Sequence, residues 1–271
     1  MRIQLINPNT TESMTETIAA AGRAAAAPGT VIQPVTAATG PVSIEGHYEE
    51  AVAAIAVLEA VRAGEEAGVA AHVIACFGDP GLLAAREIAR GPVIGIAEAA
   101  MHLASLIATG FSVVTTLTRT RIIAEHLVLA YGMERNCRRV RATDLPVLGL
   151  ADPGLDARGV IAAECRRALA EDGSGAIVLG CAGMADLAAD LSAEFGVPVI
   201  DGVGAAVKLA EALVALGLAT SKRGDLAPPG LKPYRGFLAH MAPRPADASP
   251  PAPAEARTMT RDPALARPDA A

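Results

Sequence analysis

The sequence predicts an α/β protein made of two similar parallel-sheet domains related by pseudo-twofold symmetry, with a site in the cleft between them. Three observations lead there. Residues 71–78 and 176–183 are apolar, β-prone runs that each end in Cys-x-Gly, at Cys76 and Cys181. Such runs read as strands buried on both faces, as in a parallel sheet covered by helices. The two Cys-x-Gly segments lie 105 residues apart, and Pro92-Val-Ile followed by Ala99-Ala100 and Leu103-Ala104 returns 106 residues later as Pro198-Val-Ile, Ala205-Ala206 and Leu209-Ala210. Strand and helix patterns alternate along both halves, the order that gives a parallel sheet with right-handed crossovers.

The first half opens with a strand at 2–6, closed by Asn7-Pro-Asn-Thr10. Asn9, three residues before Glu12, reads as the N-cap of a helix over 11–26 with a capping partner. Residues 30–35 form a strand that Pro34 assigns to a sheet edge. After a Gly/Pro loop at 36–46, Val52, Ile55, Leu58 and Val61 mark the apolar face of a helix. The Cys76 strand follows, then a helix over 82–90 and a strand at 93–94. The second half repeats this with a strand at 111–115, a helix over 118–132, a strand at 138–142 and a helix near 157–172. The Cys181 strand, a helix over 184–195 and a strand at 198–200 complete it. The division predicted is 1–97 for the first domain and 98–202 for the second. Residues 241–271 carry seven prolines and no apolar period, so this stretch reads as a disordered tail.

At 271 residues, 52% hydrophobic, with a net charge of −6, the chain has enough apolar material for a sizeable core and no basic stripe for nucleic acid. No apolar run is long enough for a membrane span, and no basic n-region opens the chain. Four cysteines without dense spacing read as free thiols in a reducing, cytoplasmic setting. No lysine precedes Lys208, which leaves few candidates for a Schiff base. His72 has no second histidine at ligand spacing and no CxxC occurs, so no metal is expected. The chain is therefore read as needing no cofactor, and as acting on a small molecule.

Cys76 and Cys181 stand where α/β sheets bind ligands, beyond the carboxyl ends of strands. Each is expected immediately before a helix, whose dipole supplies ~0.3–1 kcal/mol, at most ~2, toward the thiolate. One pKa unit costs about 1.36 kcal/mol, so one thiolate of the pair is expected near neutral pH. Two facing thiolates repel and titrate as a unit holding one proton. Such a pair is a two-base device: one sulfur removes a proton from a carbon acid and the other returns one to the opposite face. The developing oxyanion needs donors; candidates are the backbone N–H groups after each cysteine, Asn9, Thr115 and Thr116. The two threonines also read as caps for the next helix. Cys137 and Cys165 read as structural, and His47, His102 and His126 as ordinary helix histidines.

Ile6-Asn-Pro-Asn-Thr10, Ser43-Ile-Glu45, Cys76-Phe-Gly-Asp-Pro-Gly-Leu82, Val113-Val-Thr-Thr-Leu117 and Leu179-Gly-Cys-Ala-Gly-Met184 together resemble the hydantoin and allantoin racemases of the aspartate/glutamate racemase superfamily, over about residues 1–240. The resemblance implies a cofactor-free racemase with Cys76 and Cys181 as catalytic acid/bases, and a homo-oligomer. It implies substrate contacts at Asn9, Ile44, Phe77, Gly78, Thr115, Thr116, Ala182 and Gly183, and a C-terminal helix at 203–226 that returns to the first domain. Glutamate racemases follow their cysteines with Asn-Thr and Thr-His, whereas Phe77-Gly78 and Ala182-Gly183 stand here. That departure implies a neutral ring, with Phe77 packed on it. Arg119 and Arg121 stay open as carboxylate partners. The alternatives are an amino-acid racemase or a cysteine-dependent dicarboxylate isomerase on the same scaffold, and a non-catalytic binding protein.

Overall fold

The computed structural model of the chain describes residues 1–245. Strands β1 (Arg2–Asn7), β2 (Val31–Thr36), β3 (Ala71–Ile74) and β4 (Val93–Gly95) form one parallel sheet in the order β2-β1-β3-β4. Strands β5 (Phe111–Thr115), β6 (Cys137–Ala142), β7 (Ala176–Leu179) and β8 (Val199–Ile200) form a second, in the order β6-β5-β7-β8. The duplication is thus a repeat of sheet topology. Pro34 lies on edge strand β2, opposite Leu5, where its missing N–H leaves no ladder bond unmade.

Eight α-helices cover the sheets: α1 (Glu12–Ala25), α2 (His47–Glu66), α3 (Leu82–Ile88), α4 (Ile96–Ile107), α5 (Thr118–Ala130), α6 (Ala157–Glu171), α7 (Ala188–Phe195) and α8 (Gly202–Ala215). The repeated Ala-Ala pairs have a structural reason. Ala99 and Ala100 of α4 and Ala205 and Ala206 of α8 are all buried in one core cluster, and the two helices pack on each other. At Gly202 an added Cβ would lie 2.6 Å from the Ile96 carbonyl oxygen, so the starts of the two helices are in close contact there. That same cluster includes Ile3, Leu5 and Val73 from the first sheet and Phe111, Val113 and Val178 from the second, so one core holds both sheets in fixed relation.

Several expectations change. The buried face of α2 is Ala53, Val57, Ala60 and Val61, while Val52 is exposed and Ile55 and Leu58 are half-buried. A strict three-residue step drifts off a 3.6-residue helix face, and the i, i+4 positions take the core. The helix expected at 184–195 begins as a 3-10 turn, Ala182–Leu187, before α7. α8 packs on α1, α4, β3 and β4 but ends at Ala215, and a Gly with φ of 69° follows at Gly217. Of the tail, residues 241–245 sit against α2: Met241 is buried, and Arg62 donates to the carbonyls of His240 and Ala242. The rest of the stretch read as a tail lies outside the described residues. No described helix is long and apolar enough to cross a membrane.

Candidate active site

The carboxyl ends of the central strands of both sheets face one cavity of ≈ 50 Å³. Both predicted catalytic residues, Cys76 beyond β3 and Cys181 beyond β7, line it. So do Asn9, Ile44, Phe77, Gly78, Thr115, Thr116 and Ala182. Gly183 does not; its backbone N–H acts on the Cys181 thiol and lowers it, as the Gly78 N–H does for Cys76. The Cys-x-Gly repeat therefore aims one backbone N–H at each thiol. His72 is buried away from the site between Gln4 (2.7 Å) and Glu65 (3.1 Å).

The two cysteines are held differently. Cys76 sits in a turn closed by the Asp79 N–H on its carbonyl at 3.0 Å. Asp79, at φ 45°, turns its buried carboxylate to the N–H groups of Ala97 and Glu98 and to the Tyr131 hydroxyl at 2.7 Å. It thus caps α4 and ties the Cys76 turn to the end of α5. Five residues separate Cys76 from α3, so the helix expected directly after it is absent. Cys181, by contrast, flanks the 3-10 turn, and the Met184 N–H reaches its carbonyl at 3.1 Å. The Thr115 hydroxyl donates to the Gly180 carbonyl at 3.1 Å, pinning β5 to the residue before Cys181.

Asn9 does not cap α1. The helix starts at Glu12 behind Thr11, and the Asn9 Oδ1 accepts from the Asn7 amide (3.0 Å) and the Thr11 N–H (2.9 Å). This leaves its Nδ2, now on the Met14 sulfur, as a donor facing the cavity. Thr115 and Thr116 do not cap α5 either; Asp144 accepts the Thr118 N–H. Both residues line the cavity, with the Thr115 hydroxyl committed to the Gly180 carbonyl.

Burial raises both thiols, against the expectation of a thiolate near neutral pH. Cys181 is pushed up to about 11, with the Gly183 N–H opposing and the Glu45 charge adding to the rise. Cys76 is pushed higher still by burial, with the charges of Cys181, Glu50 and Asp79 adding to it against the Gly78 N–H. Both cysteines are half-buried on the cavity wall, where desolvation of the sulfur outweighs a single amide, and Cys76 has no helix dipole to help it.

Residues 3–210 match the family model described as Asp/Glu/Hydantoin racemase. The chain belongs to that family. A hydantoin racemase of Rhizobium meliloti is 50% identical over 236 residues, 87% of this chain and 98% of the relative. Among solved structures, allantoin racemase from Klebsiella pneumoniae matches with a TM-score of 0.88 at 62% identity, covering 90% of this chain and 100% of that one. The allantoin racemase of Pseudomonas fluorescens matches with a TM-score of 0.84 at 42% identity, covering 87% and 100%.

Within this racemase fold the cavity has lining residues that sequence reasoning missed: Met14, Glu50, Thr120, Ile123 and Val147 among them. Glu50 is the one with chemistry. Its carboxylate approaches His47 Nδ1 at 3.4 Å, and His47 stacks on His126 of α5 with ring centroids 6.2 Å apart. Glu45, within a segment quoted for the resemblance, accepts the Val147 N–H at 2.8 Å. Neither carboxylate is distinguishable in sequence from a solvated residue at a helix start. Arg121 pairs with Glu125 at 3.4 Å, and Arg119 lies beside Gly46; neither lines the cavity. Cys165 is buried in α6 and Cys137 half-buried on β6, both away from it.

Proposed function

We propose that this protein is a cofactor-independent racemase of a hydantoin-type ring, a 5-substituted hydantoin or allantoin, with Cys76 and Cys181 as paired acid and base. The observation that carries the reading is two thiols at equivalent strand ends lining one small cavity. One sulfur, as thiolate, takes the proton from the ring carbon between carbonyl and nitrogen. The electron pair passes onto the carbonyl oxygen, and the thiol on the other face gives its proton to the same carbon. The sulfurs exchange protonation states and the carbon is inverted. Because a buried thiolate with a raised pKa is a stronger base, the same burial that makes it scarce suits it to a weak carbon acid.

Donors available to the oxyanion are the Asn9 amide and the Thr116 hydroxyl, whose contact to Thr120 is a long 3.5 Å. The amino-acid and dicarboxylate alternatives bring one or two carboxylates into the site, whereas the residues lining this cavity include the Glu50 carboxylate and no arginine or lysine to offset it. We also read the protein as a cytoplasmic homo-oligomer. Exposed Leu106, Leu216 and Leu218 support assembly, and light scattering checks it.

The test follows optical rotation and solvent deuterium uptake on allantoin, alkyl and aryl hydantoins, aspartate and glutamate. Racemisation with deuterium incorporation on the rings alone is the result expected. Activity confined to the amino acids, or binding without exchange, would overturn the assignment.

A further inference from the structure

A hydantoin ring alternates carbonyl and N–H groups, so a site that fits it needs acceptors as well as donors. Most acceptors around the cavity are already in use. The Asn9 Oδ1 takes two N–H groups, and the Gly180 carbonyl takes the Thr115 hydroxyl. Glu50 differs. Its side chain is 18% exposed, and one oxygen, Oε2, faces His47 Nδ1 at 3.4 Å. The other, Oε1, lies over the Cα of Gly78, where an added Cβ would meet it at 1.9 Å. Gly78 and Glu50 both line the cavity, so the missing side chain at Gly78 makes room for a carboxylate oxygen beside the Cys76 turn. Among the described residues His47 is the only side chain that pairs with this carboxylate, facing Oε2 at 3.4 Å. No described residue donates a hydrogen bond to Oε1, so it stands as an open acceptor on the cavity wall.

We propose that Glu50 is a specificity-determining residue, whose Oε1 accepts a hydrogen bond from an N–H group of the substrate's ring or ureido substituent. The inference rests on the hydantoin reading above and deepens it, because it assigns the acceptor that the ring requires. The His47–His126 stack joins α2 to α5 at the same place and holds Oε2, leaving Oε1 to the substrate. A like charge here also disfavours a substrate carboxylate, so one residue both accepts the ring and rejects amino acids.

The experiment is a cycle between enzyme and substrate. Wild type, Glu50→Gln and Glu50→Ala are assayed on 5-methylhydantoin, on its N1-methyl and N3-methyl derivatives, and on allantoin, with kcat and KM separated. Loss of a hydrogen bond to a charged group predicts that Glu50→Ala raises KM about 10–100-fold on substrates carrying the contacted N–H, with a smaller rise for Glu50→Gln. Methylation of that nitrogen, or replacement of the ureido group by methyl, then lowers the wild type to the level of Glu50→Ala and costs the variant nothing further. Equal losses on every substrate in both variants, or no loss on any, would overturn the proposal. These outcomes are read against a wild type that racemises the panel; a wild type inactive on every ring overturns the hydantoin reading itself, and this inference with it. Unchanged melting temperatures of the two variants separate lost recognition from lost folding.

Discussion

The ends of β3 and β7 occupy the same place in two sheets of the same order and carry the same Cys-x-Gly, yet they are built differently. The Cys181 end is packed backbone to backbone. An added Cβ at Gly180 would lie 2.8 Å from the Thr115 Cβ and 2.9 Å from its Cα, and a 3-10 turn starts at the next residue. The Cys76 end is held by side chains: Asp79 bridges α4 and Tyr131, and Glu50 fills the space over Gly78. A duplicated unit has kept its strand ends and diverged in what supports them. The consequence is electrostatic: the two sulfurs bear on each other, and beyond that the Glu50 and Asp79 carboxylates bear on Cys76 and the Glu45 carboxylate on Cys181.

The strongest way to break the comparison is to remove each sulfur in turn. If the two ends serve opposite faces of one carbon, Cys76→Ser and Cys181→Ser should each lose racemisation by about 10²–10⁴-fold in both directions, since an alcohol is too weak an acid to relay the proton. Any residual deuterium uptake should favour opposite enantiomers in the two variants. Cys137→Ser and Cys165→Ser should remain active. Near wild-type racemisation in either Cys76→Ser or Cys181→Ser would falsify the two-base assignment.

Next in size is the pair of glycines. Gly180→Ala drives a methyl into backbone that has nowhere to go and should cost about 1–3 kcal/mol of stability, together with activity. Gly78→Ala meets only the movable end of Glu50, so it should keep its melting temperature and reproduce the KM changes of the Glu50 variants. Equal destabilisation by both would erase the distinction between the ends.

Tyr131→Phe probes the side-chain anchor that the Cys181 end lacks. Burial raises Asp79 to about 7 although the Tyr131 hydroxyl and the Glu98 and Ala97 amides lower it. Losing the hydroxyl should cost about 1.5–3 kcal/mol at pH above 7, where the carboxyl is charged, measured by denaturant unfolding. The sign follows from a folded pKa above the unfolded one. The folded state then holds the extra proton between about pH 4 and 7, and stability falls as pH rises through that window. Asp79→Asn should flatten this slope; a slope unchanged in that variant would assign it to another group.

The electrostatic difference is sharpened by alkylation. Because Cys181 lies at about 11 and Cys76 above it, thiolate at either site keeps growing as pH rises through 8 to 10. Mass spectrometry at pH 9 should find Cys181 carboxamidomethylated before Cys76, and the reverse order would remove the asymmetry. The smallest effect expected is from deleting residues 246–271, whose composition cannot supply a core. Activity and melting temperature should be unchanged, whereas a cut before Met241 removes a buried side chain and the carbonyls held by Arg62.

What the amino-acid order determined alone was whatever depends on local pattern. Apolar, β-prone runs bounded by turn residues placed the eight strands found among the described residues, and the near-identical spacing of Cys76 with Cys181 and of Pro92 with Pro198 exposed the duplication. Seven of the eight binding positions that the resemblance implied line the cavity with both cysteines, and all of them but Ile44 stand at or just past the end of a strand, where parallel sheets gather ligands. What only the tertiary structure decided was everything that depends on a neighbour remote in sequence. Glu50 became part of the site because Gly78, 28 residues on, has no side chain there. Asn9 became a donor rather than a cap because Asn7 and the Thr11 N–H occupy its oxygen. The thiols rose instead of falling because burial, a sum over all surrounding atoms, outweighs the local dipole that a sequence can suggest.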